Sequence, residues 1–138
     1  MALGYQSLGV FDLTTSETIE GDWVEDLEDM AAALVGLRFI YGSTGSGSPA
    51  AKAYVQSSSD NGTTAHDIAC VVFGVVSEHK LLNFSALTPK TTQVEPTDGT
   101  LSDDTAVDGL IGDRLRIKLV VTGVYAGSTQ LVASLVAR

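Results

Sequence analysis

The stretch from residue 51 to residue 73 leaves this chain few choices of fold. It reads Ala-Lys-Ala-Tyr-Val-Gln-Ser-Ser-Ser, then Asp60-Asn61-Gly62, then Thr-Thr-Ala-His-Asp-Ile-Ala-Cys-Val-Val-Phe. Two runs of strand composition flank a turn signal. Asn and Gly tolerate positive φ, which other residues reach only at a cost, and Asp60 can bond the backbone two residues on. A β-hairpin is predicted. In its second strand Ile68, Cys70 and Val72 fill one face, and Ala69, Val71 and Phe73 the other. A strand apolar on both faces is covered on both. In a chain of 138 residues, the second cover comes from the domain's own loops or from another subunit. This is the best hint of a protein–protein contact that the residues give.

Further strands follow from alternation. Val35, Leu37, Phe39 and Tyr41 alternate with Gly36, Arg38 and Ile40. Leu81, Leu82 and Phe84 mark another strand. Leu115, Ile117, Leu119 and Val121 alternate with Arg114, Arg116 and Lys118, so the apolar set packs inward and the basic set faces out. Gly123-Val-Tyr-Ala-Gly127 is expected to turn the chain, and Thr129 to Ala137 to return as a strand. The run Gly42-Ser-Thr-Gly-Ser-Gly-Ser-Pro49 is expected as a flexible loop. It is not a phosphate loop, because Ser48-Pro49 stands where Gly-Lys-Ser/Thr is needed. From Thr88 to Asp113 the chain is loop-like, with Pro89 and Pro96 as breakers, and a loop of that length usually has a job.

Asp22 followed by Glu25 has the form of a helix capping box, with Leu27, Met30, Ala31 and Leu34 at helical spacing. A strand–turn–strand passage competes with that helix. The expected fold is all-β, an antiparallel β-sandwich or jelly-roll-like domain of seven or eight strands, with at most one short helix. Residues 1–30 are expected as an acidic N-terminal arm or segment, and 31–138 as a single sandwich domain.

The net charge of −9 disfavours a nucleic-acid binder, which usually carries a basic footprint. Eight of the 17 acids precede Arg38, the first base, leaving 9 against the 8 bases of the remainder. Such a segment is either a solvated face or an arm that docks on a basic partner. Arg114, Arg116 and Lys118 are the one clustered positive feature. They form either a solvated outer face or a match for that acidic segment, within one chain or between subunits. Cys70 is the single cysteine, so no internal disulfide is possible. The N-terminus lacks the pattern of a secretory signal, and no apolar run is long enough for a membrane helix.

No catalytic or cofactor-binding motif is found. His66 and His79 have acidic sequence neighbours, but adjacent strand residues point to opposite faces. A zinc site from His66, Cys70 and His79 lacks recognisable ligand spacing, and the acids from Asp98 to Asp113 do not fit a calcium loop. Cys70 sits among apolar residues, the wrong setting for a nucleophile. Trp23 is expected in the core unless exposed, and Tyr125, at a hairpin tip, is an interface candidate. The candidate interface residues are thus Trp23, Arg114, Arg116, Lys118 and Tyr125, with no catalytic, cofactor or metal residue.

Ala53-Tyr-Val-Gln-Ser-Ser-Ser-Asp-Asn-Gly62, then Asp67-Ile-Ala-Cys70 and Phe73, resembles small structural proteins of tailed bacteriophages. The run Thr97 to Gly109, then Gly112-Asp-Arg-Leu-Arg116 and Gly123-Val-Tyr-Ala-Gly-Ser128, is similar too. Where that pattern commonly has a tryptophan after the hairpin turn, this chain has Thr64-Ala65. The resemblance spans residues 35 to 138 and implies a virion component. The role it implies is a head decoration (cement) protein, not an enzyme, made in the host cytoplasm and bound outside the capsid. Its partners would be the major capsid protein and further copies of itself, with a trimer the expected oligomer. The alternatives are a neck or tail component and a carbohydrate-binding sandwich module.

Overall fold

The computed structural model describes residues 3–138. Nine strands form two packed antiparallel sheets, and no helix occurs among the described residues. The strands are β1 (Gly4–Asp12), β2 (Glu17–Glu20), β3 (Ala32–Ile40), β4 (Ser43–Ser57), β5 (His66–Phe73), β6 (Glu78–Ser85), β7 (Thr105–Ala106), β8 (Leu115–Ala126) and β9 (Gln130–Ala137). One sheet has the order β1-β9-β3-β6, the other β2-β8-β4-β5-β7. The fold is the all-β antiparallel sandwich that alternation implies.

The core lies between the sheets. Ala33, Val35, Leu37 and Phe39 of β3 and Leu131, Ala133 and Leu135 of β9 face Leu115, Ile117 and Leu119 of β8 and Ala51, Ala53 and Val55 of β4. The Phe39 and Phe73 rings stack with centroids 4.9 Å apart, and Tyr125 meets Phe39 edge-on at 5.7 Å. Tyr125 is therefore not an exposed hairpin tip. It is 2% exposed and donates its hydroxyl to the Gly74 carbonyl at 2.7 Å. The strand β8 continues through Gly123 to Ala126, and the turn comes later, at Gly127-Ser128. Burial pushes the Tyr125 phenol up to about 12.

The hairpin of β4 and β5 forms as expected, joined by residues 58–65. Asn61 and Gly62 adopt φ of 62° and 87°. The Asp60 carboxylate accepts the Thr64 N–H at 2.7 Å, and Ser58 Oγ accepts the Gly62 N–H at 2.9 Å. The Gly-Ser run before it is not a loop. It is the first half of β4, laddered to β8 through two register shifts. Here partner hydrogen bonds outweigh a weak local preference.

Two further expectations change, and one open alternative closes. The capping-box pattern does not make a helix: Val24 bridges Leu115, Leu27 donates its N–H to the Asp113 carbonyl, and Leu27 and Met30 are buried in the core. The acidic segment is not an arm. Its β1 pairs with β9 and its β2 with β8, so both sheets include it; its first two residues lie outside the described ones. The two-faced β5 is covered by its own chain, with β7 pairing Ala69 and Cys70. At the exposed flank of β5, Val72 N–H donates to Asp104 Oδ1 and Val72 carbonyl accepts from Lys80 Nζ.

Phe73→Ala removes a fully buried ring and its stacking partner. We expect a loss of about 3–5 kcal/mol, read from urea denaturation.

Candidate docking face

The two sheets treat their outer surfaces in opposite ways. On the five-stranded sheet, outward positions carry Arg116 and Lys118 of β8, Gln56 of β4 and Asp67 of β5. Asp67 is 5% exposed, and its carboxylate accepts from the Thr97 hydroxyl at 2.9 Å and from the Thr100 and Leu101 N–H groups at 3.0 and 3.2 Å. The Gly99 N–H reaches both oxygens, and Gln56 Nε2 donates at 2.9 Å. The long loop is thereby pinned across this face. Gln56 Nε2 also donates to Asp98, Lys118 Nζ donates to Asp98 at 3.0 Å, and Arg116 Nε donates to Gln56 Oε1.

The basic row is thus neither solvated nor free. Arg116 pairs with Glu20 at 2.8 Å and Arg114 with Glu25 at 2.9 Å, both acids of the N-terminal segment of the same chain. Arg114 also reaches Asn61 in the hairpin turn and is 7% exposed. Trp23 is half-buried with the Arg116 guanidinium 4.5 Å from its ring centroid. Of the five candidates, Arg114, Arg116, Lys118 and Trp23 share this covered face and its rim. Tyr125 lies apart in the core. His66 Nε2–H donates to the Leu110 carbonyl (2.6 Å), beside an open pocket of about 320 Å³ lined by Ser59, Val94, Pro96 and Ile111. His79 belongs to the other sheet, so His66, Cys70 and His79 do not converge. No group of three or more His, Cys, Asp or Glu among the described residues could hold a metal ion.

The outer face of the four-stranded sheet is different. Register and burial align its outward residues in rows: Tyr5, Val136, Leu34 and Asn83; Ser7, Ser134, Gly36 and Leu81; Val10, Val132, Arg38 and His79; then Asp12, Gln130 and Ile40. Tyr5, Leu81 and Val10 are 72%, 62% and 60% exposed. A Cβ at Gly36 would lie 3.0 Å from Ser134 Oγ and 3.5 Å from Leu81 Cδ2, so the missing side chain lets neighbours lie down over β3 and flattens the face. Asp12 accepts from Gln130 Nε2, and Arg38 is the one arginine or lysine in these outward rows. Sequence reasoning missed this face. The signal was present as the second set of each alternation, in Val132 and Val136, Leu34 and Ile40, and Val10.

No protein-family model matches this chain, and neither does any curated protein or solved structure. No helix among the described residues is long and apolar enough to cross a membrane.

Replacing Asp67 by Ala strands three loop amides and a buried glutamine. The expected cost is about 3 kcal/mol or more, with fast hydrogen exchange at Gly99, Thr100 and Leu101. Hydrogen bonds and ion pairs hold several carboxylates low, which makes the fold sensitive to acid. The Ser85 N–H and the Thr88 hydroxyl hold Asp108 below the ordinary carboxylate range, Gln56 and Lys118 do the same for Asp98, and Arg114 for Asp113. A depressed carboxylate stabilises the fold fully above its unfolded value, near 3.9, and loses that contribution as pH falls through the folded value. The gap in urea midpoint between wild type and Asp108→Ala should therefore be full at pH 6 and narrow below about pH 3.

Proposed function

We propose that this chain is a structural virion protein that decorates the outside of a phage head and holds neighbouring capsid subunits in place. One observation carries the reading: a sandwich whose one outer face is sealed by its own loop and ion pairs, while the other is uncovered, nearly free of charge and exposes Tyr5, Val10, Ile40 and Leu81. Large uncovered apolar surface on a folded chain marks a contact with another protein. The resemblance of the 53–73 and 97–128 segments to tailed-phage structural proteins supplies the kind of assembly. In this reading the chain works by shape and charge and not by catalysis, with the major capsid protein as its partner. Many symmetric copies then add their individually modest contacts.

The test is co-sedimentation of purified protein with heads of the virus that encodes it, with bound copies counted per particle. Saturation at hundreds of copies is expected. A handful per particle would move the protein to the neck or tail, and no binding at any concentration would overturn the reading.

A further inference from the structure

We infer that the uncovered face of the four-stranded sheet is a self-contact, where a second copy of this chain packs face to face. The inference rests on the reading of that face as a docking surface and names its occupant.

Charge distribution identifies the occupant. Of the 17 acids of the chain, only Asp12 lies among the outward residues of this face, and Arg38 offsets it. Two molecules that each carry −9 repel wherever their acidic surfaces approach. This face brings two copies together with only one acid on each. Depletion of charge at the centre with an arginine among aromatic and aliphatic neighbours is the composition of an interface core. The centre here is Val132, Val136, Leu34 and Gly36, with Tyr5 and Leu81 towards the margins.

Geometry sets the symmetry and the strength. A flat patch that contacts itself closes under two-fold symmetry, so the contact yields a dimer and not the trimer expected from resemblance. Four strands spaced about 4.8 Å apart and a span of about 7 residues at roughly 3.3 Å give a patch of about 440 Å². A standard stable interface uses about 800 Å² per partner. The dimer should therefore dissociate on dilution. Two sheets packed in this way sit about 10 Å apart with strands near −30°.

Sedimentation equilibrium from about 1 µM to 1 mM is the test. Wild type should approach twice the 14.4 kDa chain mass at the upper end and the chain mass at the lower. Val132→Glu and Leu81→Glu, both outward-facing, should each weaken association at least about tenfold with unchanged melting temperature. Val94→Glu, exposed on the opposite side beside His66, should leave it unchanged. A monomer throughout, or an oligomer indifferent to both face substitutions, overturns the inference. Head binding is measured on the same proteins. A monomeric wild type whose head binding is lost in Val132→Glu makes the capsid protein the occupant; the inference then fails and the functional reading survives. Self-association without head binding leaves the inference standing and removes the functional reading.

Discussion

The Asp67 carboxylate is what lets this sandwich finish itself. A charged group at 5% exposure is tolerable only when its lone pairs are filled, and here three loop amides, a hydroxyl and a glutamine fill them. The backbone N–H groups of Gly99, Thr100 and Leu101 would otherwise need water or a ladder partner. Each side solves the other's problem, and the long loop becomes a lid over β5. That lid explains how Tyr54 and Cys70 can be buried on the face turned away from the core. It also burdens the thiol: desolvation pushes the Cys70 pKa up, the reverse of what a nucleophile needs.

Charge follows the same division. From sequence, the acids of the first thirty residues and the basic row of β8 could be solvated, or match within one chain or between subunits. They meet within the chain, because β2 is laddered to β8 and carries Glu20 past Arg116. Partly exposed pairs of this kind contribute little stability each. Their effect is positional: they keep one outer face polar, paired and closed. The remaining acids, such as Asp22, Asp26, Glu28 and Asp29, stay exposed on loops and give the surface its net negative field.

Much of this was legible from residue order. The hairpin, β3, β8 and β9 follow from alternation, because a buried face repeats every second residue. What failed did so for physical reasons. Leu27 and Met30 have helical spacing, yet each plugs the core from an irregular segment tied down by the Leu115 bridge and the Asp113 carbonyl. The Gly-Ser run lacks strand preference, but β8 offers it a ladder. Tyr125 sits between glycines and looks like a tip, whereas the gap beside Phe39 and Phe73 draws it inward. The uncovered face was hidden for a different reason. Alternation shows that each strand has two sides, but which sheet stays bare depends on where residues 88–113 travel, and that depends on Asp67.

The treatment of Val72 has a consequence for crowded conditions. A strand margin with bare N–H and carbonyl groups templates the addition of foreign strands, and proteins held at high local density are most at risk. Here Asp104 occupies the donor and Lys80 the acceptor. A newcomer would have to displace two charged side chains before forming its first backbone bond. Strand addition at this border therefore begins with a penalty, which discourages close neighbours from joining their sheets there.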